Sequence, residues 1–284
     1  MSFNFNWLKN DISTGSCYVI KREKLNLRMK IKYIKEHSMK QEAKKTAIIT
    51  GSSRGIGKET ATILAKKSVN VVVCSRTQSE INSTVEEINK QTGNSNVLGI
   101  KCDVSIPSEV NSFVKSTIEK FGSSTIDILV NNAGVAFNRK LIDTSEEEWD
   151  QTINSNLKGA FLFTKAVLPH MISKGSGVIV NVNSGAGKAG FSNLSAYCAS
   201  KFGLVGLAES LALKVSKYEN IRVLTIFLGE VATKMWQEYD FRYYQKNKSK
   251  MLQPHDVAEK IAELISDAKS YKNGDSFEMY SSDI

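Results

Sequence analysis

Long apolar runs are missing from this 284-residue chain. No stretch of about 18 apolar residues occurs, so a membrane-spanning helix is not expected. The start shows no charged-then-apolar pattern with a cleavage site, so no secretory address is read and a cytoplasmic location is expected. Cysteine is scarce: Cys17, Cys74, Cys102 and Cys198 form no C-x-x-C pair. Reduced thiols rather than a disulfide framework follow from that. The three histidines, His37, His170 and His255, are scattered without zinc-type spacing, so no metal site is expected. Linkers, long repeats and low-complexity tracts are absent too.

Charge of one sign is in excess, but only locally. The net charge is +9, and residues 1–45 hold eleven Lys/Arg against four Asp/Glu. The rest of the chain is nearly neutral, so a nucleic-acid partner is not expected of the body, and polyanion binding would have to lie in that first segment. Within it, "LNLRMKIKY" alternates apolar and basic residues, as a strand edge or interfacial segment does. The reading adopted for 1–45 is a basic, poorly ordered extension. A start of translation at Met29 or Met39 is a further reading, which an intact mass of the native protein would decide.

What is present is a regular body. Apolar residues make up 41% of the chain, enough for a full core. From Thr46 the segments "TAIIT", "VNVVVCS", "NVLGIKC", "IDILVNN", "GVIVNVN", "IRVLTIF" and "DSFEMY" read as strands. Helical patterns separate most of them, and Ser145 with Glu148 has capping-box spacing at the start of a long helix running toward His170. Strands that are apolar throughout, alternating with helices, argue a parallel sheet covered on both faces. The expected fold is α/β, a single-domain doubly wound parallel sheet of Rossmann type over residues 46–284.

The first strand runs into "TGSSRGIG", Thr50 to Gly57. Gly51 can turn sharply off the strand. Gly55 and Gly57 remove side chains where backbone nears a pyrophosphate and where helix meets sheet, and the helix N-terminus then faces the phosphates. The end of the second strand bears on which dinucleotide is used. An acidic residue there would hold the ribose diol of NAD. Here the stretch is "CSRTQ", with Ser75 and Arg76 in the turn and no carboxylate before Glu80. Arg54 comes from the glycine turn on the same side. Two guanidinium groups and a hydroxyl suit a phosphate monoester, so NADP(H) is the expected cofactor.

"SAYCASK" sets Tyr197 four residues ahead of Lys201, which puts both on one helix face. That helix follows the fifth strand, whose end carries Ser184. A free tyrosine, with a pKa of ~10, is a poor acid at neutral pH. A nearby ammonium is expected to lower that value. The phenol can then protonate a carbonyl oxygen as hydride reaches the carbon, with Ser184 donating a second hydrogen bond to the same oxygen.

With "TGSSRGIG", "NNAG" (131–134) and "SAYCASK" in this order, the sequence resembles the short-chain dehydrogenase/reductase family over essentially all of 46–284, most closely its 3-oxoacyl reductase-like members. The resemblance implies a catalytic group of Asn156, Ser184, Tyr197 and Lys201. Asn156, in "NSNLKGAF", would hold a water-linked proton path to Lys201. Asp103 in "CDV" would contact the adenine, Lys201 the nicotinamide ribose and Thr233 the carboxamide. Asn131 and its neighbours would line the cofactor cleft and steady the central sheet. Ser53, Ile56, Val104, Asn132, Ala133, Gly134, Gly229, Val231 and Tyr197 complete the implied cofactor set. The resemblance also implies a homodimer or homotetramer acting on a small carbonyl or alcohol substrate. Three departures stand out: Leu228-Gly229 replaces the family's Pro-Gly, Asn183 replaces a serine beside Ser184, and the C-terminal "NGDSFEMYSSDI" lacks a Gly-Gly ending.

Between the sixth strand and the last helix, residues 230–251 carry Trp236, Tyr239, Phe241, Tyr243 and Tyr244, a segment read as a lid over the cleft. Its basic end, Arg242 to Lys250, reads as a solvated charge run. The function expected is NADPH-dependent reduction of a carbonyl, with a 3-oxoacyl thioester as leading substrate. The alternative is a non-catalytic NADP(H)-binding regulator or scaffold using the basic N-terminal arm.

Overall fold

Strands buried on both faces need cover on both, and the computed structural model supplies it. It describes residues 44–93, 95–121 and 126–281. The N-terminal extension, with its alternating stretch, Cys17 and His37, lies outside the described residues apart from Lys44 and Lys45. From Lys45 onward the chain forms one unit.

Seven strands make one all-parallel sheet: β1 Thr46–Ile49, β2 Asn70–Ser75, β3 Val97–Lys101, β4 Ile128–Asn131, β5 Ser176–Ser184, β6 Asn220–Leu228 and β7 Ser276–Met279. Their order is β3-β2-β1-β4-β5-β6-β7. The chain winds one way from β1 to β3, then crosses back to place β4 on the other side of β1. Side chains alternate between the two faces. Ala47 and Ile49 of β1, with Val71 and Val73 of β2, pack against helices α1 (Gly55–Lys66) and α9 (Pro254–Ser266). Ile48 and Val72 pack on the opposite face against α3 (Pro107–Phe121), α5 (Gly159–Lys174) and α6 (Ser195–Val215). There Phe113 and Phe163 meet edge to face at 5.3 Å.

The remaining helices are α2 (Gln78–Thr92), α4 (Glu146–Ile153), α7 (Lys234–Tyr239) and α8 (Phe241–Asn247). Helix α4 begins with the expected capping box: the Glu148 N–H donates to Ser145 Oγ and the Ser145 N–H to the Glu148 carboxylate. The long helix toward His170 is not uniform. A π-type turn, Asn154–Lys158, joins α4 to α5. One wide turn of this kind redirects a single side chain without ending the helix. The side chain concerned here is Asn156.

Candidate active site

The winding reverses between β1 and β4, and a parallel sheet opens a crevice at the carboxyl ends of its strands at that point. Two loops meet there. Gly51 follows β1 with φ +63°, and a Cβ on it would stand 2.8 Å from the Ala133 Cα. Only glycine allows both that conformation and that approach. Thr50 Oγ1 accepts from the N–H groups of Asn132 and Ala133, each at 3.0 Å. The Asn132 amide returns bonds to the Thr50 and Gly51 carbonyls, at 2.9 and 3.1 Å. The glycine turn and the "NNAG" loop thus clamp each other.

Every residue singled out above for cofactor or catalysis lines one cavity of about 840 Å³, with three exceptions. Gly57 lies below the wall: a Cβ on it would meet the Asn132 amide at 2.6 Å and the Gly51 carbonyl at 2.7 Å. Its role is close packing of helix on loop. Asn156 is the second, and its side chain is fully engaged. Its Oδ1 accepts from the Val135 N–H at 2.8 Å, and its Nδ2 donates to the Val135 carbonyl and to Ser200 Oγ, each at 3.0 Å. Ser200 Oγ donates on to the Tyr197 carbonyl at 2.7 Å. Asn156 therefore ties the loop after β4 to the helix bearing Tyr197. Asn131 is also outside the wall, buried and donating to Thr164 and Asn181 across the sheet.

At one end of the cavity lie Ser53, Arg54, Ser75, Arg76, Glu80 and Asp103. Asp103 accepts from the Ser105 N–H and hydroxyl. At the other end Ser184, Tyr197 and Lys201 meet. Ser184 hydrogen-bonds the Tyr197 phenol. Lys201 Nζ donates to the Val182 carbonyl at 2.9 Å and stands 5.5 Å from the centre of the Tyr197 ring. Asn183 joins the two elements: its Oδ1 accepts from the Ser184 N–H at 2.8 Å, and its Nδ2 donates to the Lys201 carbonyl at 3.2 Å. A serine, the family's usual residue here, is too short to span both.

Burial decides the electrostatics. It pushes the Tyr197 phenol up to about 12, against the smaller downward pull of the Ser184 hydrogen bond. It pulls the Lys201 ammonium down to about 8. In the cofactor-free protein burial therefore sets the value, and the phenol is neutral throughout the neutral range. The replacement of proline by Leu228 leaves the adjoining loop well anchored. Leu228 is paired in β6 with Ser184 and Met279, and the Gly229 N–H donates to the Met279 carbonyl at 2.9 Å.

Met235, Trp236 and Tyr239 of the expected lid line the cavity. The Trp236 ring packs on Tyr239 at 5.0 Å and on Tyr243 at 5.6 Å, and the Tyr243 hydroxyl donates to Glu230. Phe191 and Tyr280, which sequence reasoning missed, line it too. A signal for Tyr280 was present: it follows β7, and in a parallel sheet the residue after a strand reaches the crevice. Cys74 and Cys102 are buried free thiols in the wall, and Cys198 is buried beside Tyr197. No cluster of potential metal ligands occurs among the described residues, and no helix among them is long and apolar enough to cross a membrane.

The family model for short chain dehydrogenases matches residues 45–242. A hydroxy(phenyl)methylsuccinyl-CoA dehydrogenase subunit of Thauera aromatica is 36% identical over 235 residues, 81% of this chain and 92% of that protein. A 3-oxoacyl-(acyl-carrier-protein) reductase of Thermotoga maritima is 33% identical over 235 residues, 81% of this chain and 94% of its own. The crystal structure of a variant actinorhodin polyketide ketoreductase with NADPH superposes with a TM-score of 0.77 at 30% identity, covering 83% of this chain and 95% of that one. The chain belongs to the short-chain dehydrogenase family, among its 3-oxoacyl reductase-like members. It is an oxidoreductase of alcohol and carbonyl groups that uses a nicotinamide dinucleotide, and the residues present fit that group. The glycine turn leaves backbone bare where a Cβ at Gly51 would clash, one cavity carries both Asp103 and Tyr197, and the side chains of Ser53, Arg54, Ser75 and Arg76 line it too.

Proposed function

We propose that this protein is an NADPH-dependent carbonyl reductase whose substrate is a 3-oxoacyl thioester. The observation that carries this reading is the meeting of the Ser184 hydroxyl, the Tyr197 phenol and the Lys201 ammonium on the wall of the cavity that also holds the glycine turn. The cofactor, when bound, supplies the hydride. The neutral Tyr197 phenol donates its proton to the carbonyl oxygen, and Ser184 holds the same oxygen by a hydrogen bond. Lys201, fixed by the Val182 carbonyl, places a positive charge near the phenolate left behind. Arg54 and Arg76 would bind the 2′-phosphate, Asp103 the adenine and Thr233 the carboxamide. Asn156 acts by positioning, through Val135 and Ser200.

A second substrate reading, a ketone carrying a ring, is favoured by four aromatic side chains in the wall besides Tyr197: Phe191, Trp236, Tyr239 and Tyr280. Gly185 leaves space between two of these rings, since a Cβ there would stand 3.9 Å from Tyr280 and 4.0 Å from Phe191. The name of the Thauera relative includes a phenyl group beside a CoA thioester. The test is NADPH oxidation followed optically against ketones with and without rings, 3-oxoacyl thioesters and quinones. Turnover of the thioesters supports the first reading, and preference for ring-bearing ketones the second. Silence across the panel with tight NADPH binding would turn the protein into a cofactor-binding regulator.

A further inference from the structure

The turn after β2 holds two kinds of charge. Arg76 is exposed at the cavity rim. Arg54, also exposed, has its Nη2 at 3.9 Å from the Glu238 carboxylate of α7, which Lys234 shares at 3.5 Å. Against these stands Glu80, in the first turn of α2 and part of the same wall. Its Oε2 accepts from Ser53 Oγ at 3.0 Å and from Ser75 Oγ at 3.3 Å. Those hydroxyls belong to the glycine turn and to the end of β2. The Ser53 side is itself fixed, because Thr84 Oγ1 of α2 donates to the Ser53 carbonyl at 2.9 Å. The carboxylate is therefore held in the cavity wall by two loops that border the adenosine end. The sequence showed Glu80 only as a residue five positions past the strand end. The helix turn brings it back to the wall.

We infer that Glu80 sets the choice between the two pyridine dinucleotides. Held by Ser53 and Ser75, its carboxylate offers an acceptor to a free ribose 2′-hydroxyl and repels a 2′-phosphate. It opposes Arg76 and Arg54, and so narrows the preference for NADPH over NADH that the two arginines confer. This rests on the cofactor site proposed above. Charge is the agent: the hydroxyl partners fix where the carboxylate lies, and its sign acts on the ligand.

The experiment needs no substrate. The full-length protein is titrated calorimetrically with 2′,5′-ADP and with ADP, which differ by the 2′-phosphate and the 5′-diphosphate. Wild type, Glu80→Gln, Glu80→Ala and Arg76→Ala are compared. Removing one negative charge about 6 Å from a phosphate at a protein surface changes affinity by roughly 100-fold without screening, and by about tenfold at physiological salt. Glu80→Gln, which can still accept from both serines, should tighten 2′,5′-ADP by that factor and leave ADP unchanged or weaker. Glu80→Ala should shift the ratio of the two affinities in the same direction. Equal tightening of both ligands, or an unchanged ratio in both variants with native circular dichroism retained, would overturn the inference. Arg76→Ala reports on the proposed cofactor separately: an unaltered 2′,5′-ADP affinity there counts against NADPH while leaving the Glu80 result readable.

Discussion

Lys201 is one of the buried charges of the molecule, 5% exposed, and its ammonium is pulled down to about 8 by burial alone. Compared with the ordinary value of 10.5 this means that holding the proton in the folded state costs about 3 kcal/mol at pH 7. Replacing the lysine by methionine keeps the length of the chain and removes the charge. It also leaves the Val182 carbonyl without the donor it now has at 2.9 Å, a loss of about 1 kcal/mol or somewhat more. Lys201→Met should therefore stabilise the cofactor-free protein by about 2 kcal/mol at pH 7 while destroying activity. The sign in pH follows from the depressed folded-state value. Below pH 8 both folded and unfolded wild type hold the proton and the full penalty is present. Between about 8 and 10.5 the folded form has released it and the unfolded form has not, so wild-type stability rises by about 1.4 kcal/mol per pH unit. The variant lacks that rise, so its advantage is constant up to pH 8 and narrows above it. Urea unfolding at pH 6.5, 8 and 9.5 measures this. A variant no more stable than wild type at pH 6.5, or an advantage that fails to narrow by pH 9.5, refutes the reasoning.

Tyr197→Phe removes the proton donor and keeps the ring, so turnover should fall by about 10²–10⁴-fold with NADPH affinity retained; substantial residual reduction means another group is the acid. Replacing Arg54 and Arg76 together by alanine should raise the Michaelis constant for NADPH far more than that for NADH, and equal losses contradict the phosphate assignment. Gly57→Ala forces a methyl group to 2.6 Å from the Asn132 amide and 2.7 Å from the Gly51 carbonyl. It should destabilise by about 1–3 kcal/mol, read by thermal unfolding without cofactor, because loop backbone cannot yield there as a flexible side chain could. An unchanged midpoint would show that the clamp between the two loops gives way.

The parallel sheet was legible because its strands are buried on both faces and therefore read as unbroken apolar runs, "VVVC" and "VIVNV" among them. The glycine turn was legible because Gly51 has no substitute at φ +63° against Ala133. Asn156 was legible as important but not in its action. Spacing could not reveal the π-type turn that aims it at Val135 and Ser200 rather than into the cavity. Glu80 and Tyr280 escaped for the same reason at opposite ends of the site: each reaches the crevice from an element whose outer residues look like ordinary surface. Asn183 read only as a replacement for a serine beside Ser184, since nothing local shows that its amide bridges Ser184 and Lys201 across β5 and α6.

Spacing puts the phenol and the ammonium on one helix face, but the electrostatics of the pair depends on a quantity no spacing encodes, its depth. Burial raises the tyrosine to about 12 and lowers the lysine to about 8, so two values that start close together move apart, with the phenol above the ammonium. A phenol held neutral near pH 7 is a donor that is always loaded, which is the state carbonyl reduction requires. The phenolate formed in the step is poorly solvated where it stands. The Ser184 hydrogen bond and the nearby Lys201 charge are the stabilisation the described side chains offer it. On the proposed mechanism the lysine is costly to the fold and valuable in the transition state, where negative charge passes from the carbonyl oxygen to the phenol. The same burial that destabilises the resting protein removes the water that would screen Lys201 from that charge. Stability and catalysis therefore pull in opposite directions at one residue, as expected where a buried cation is kept for chemistry and not for the fold.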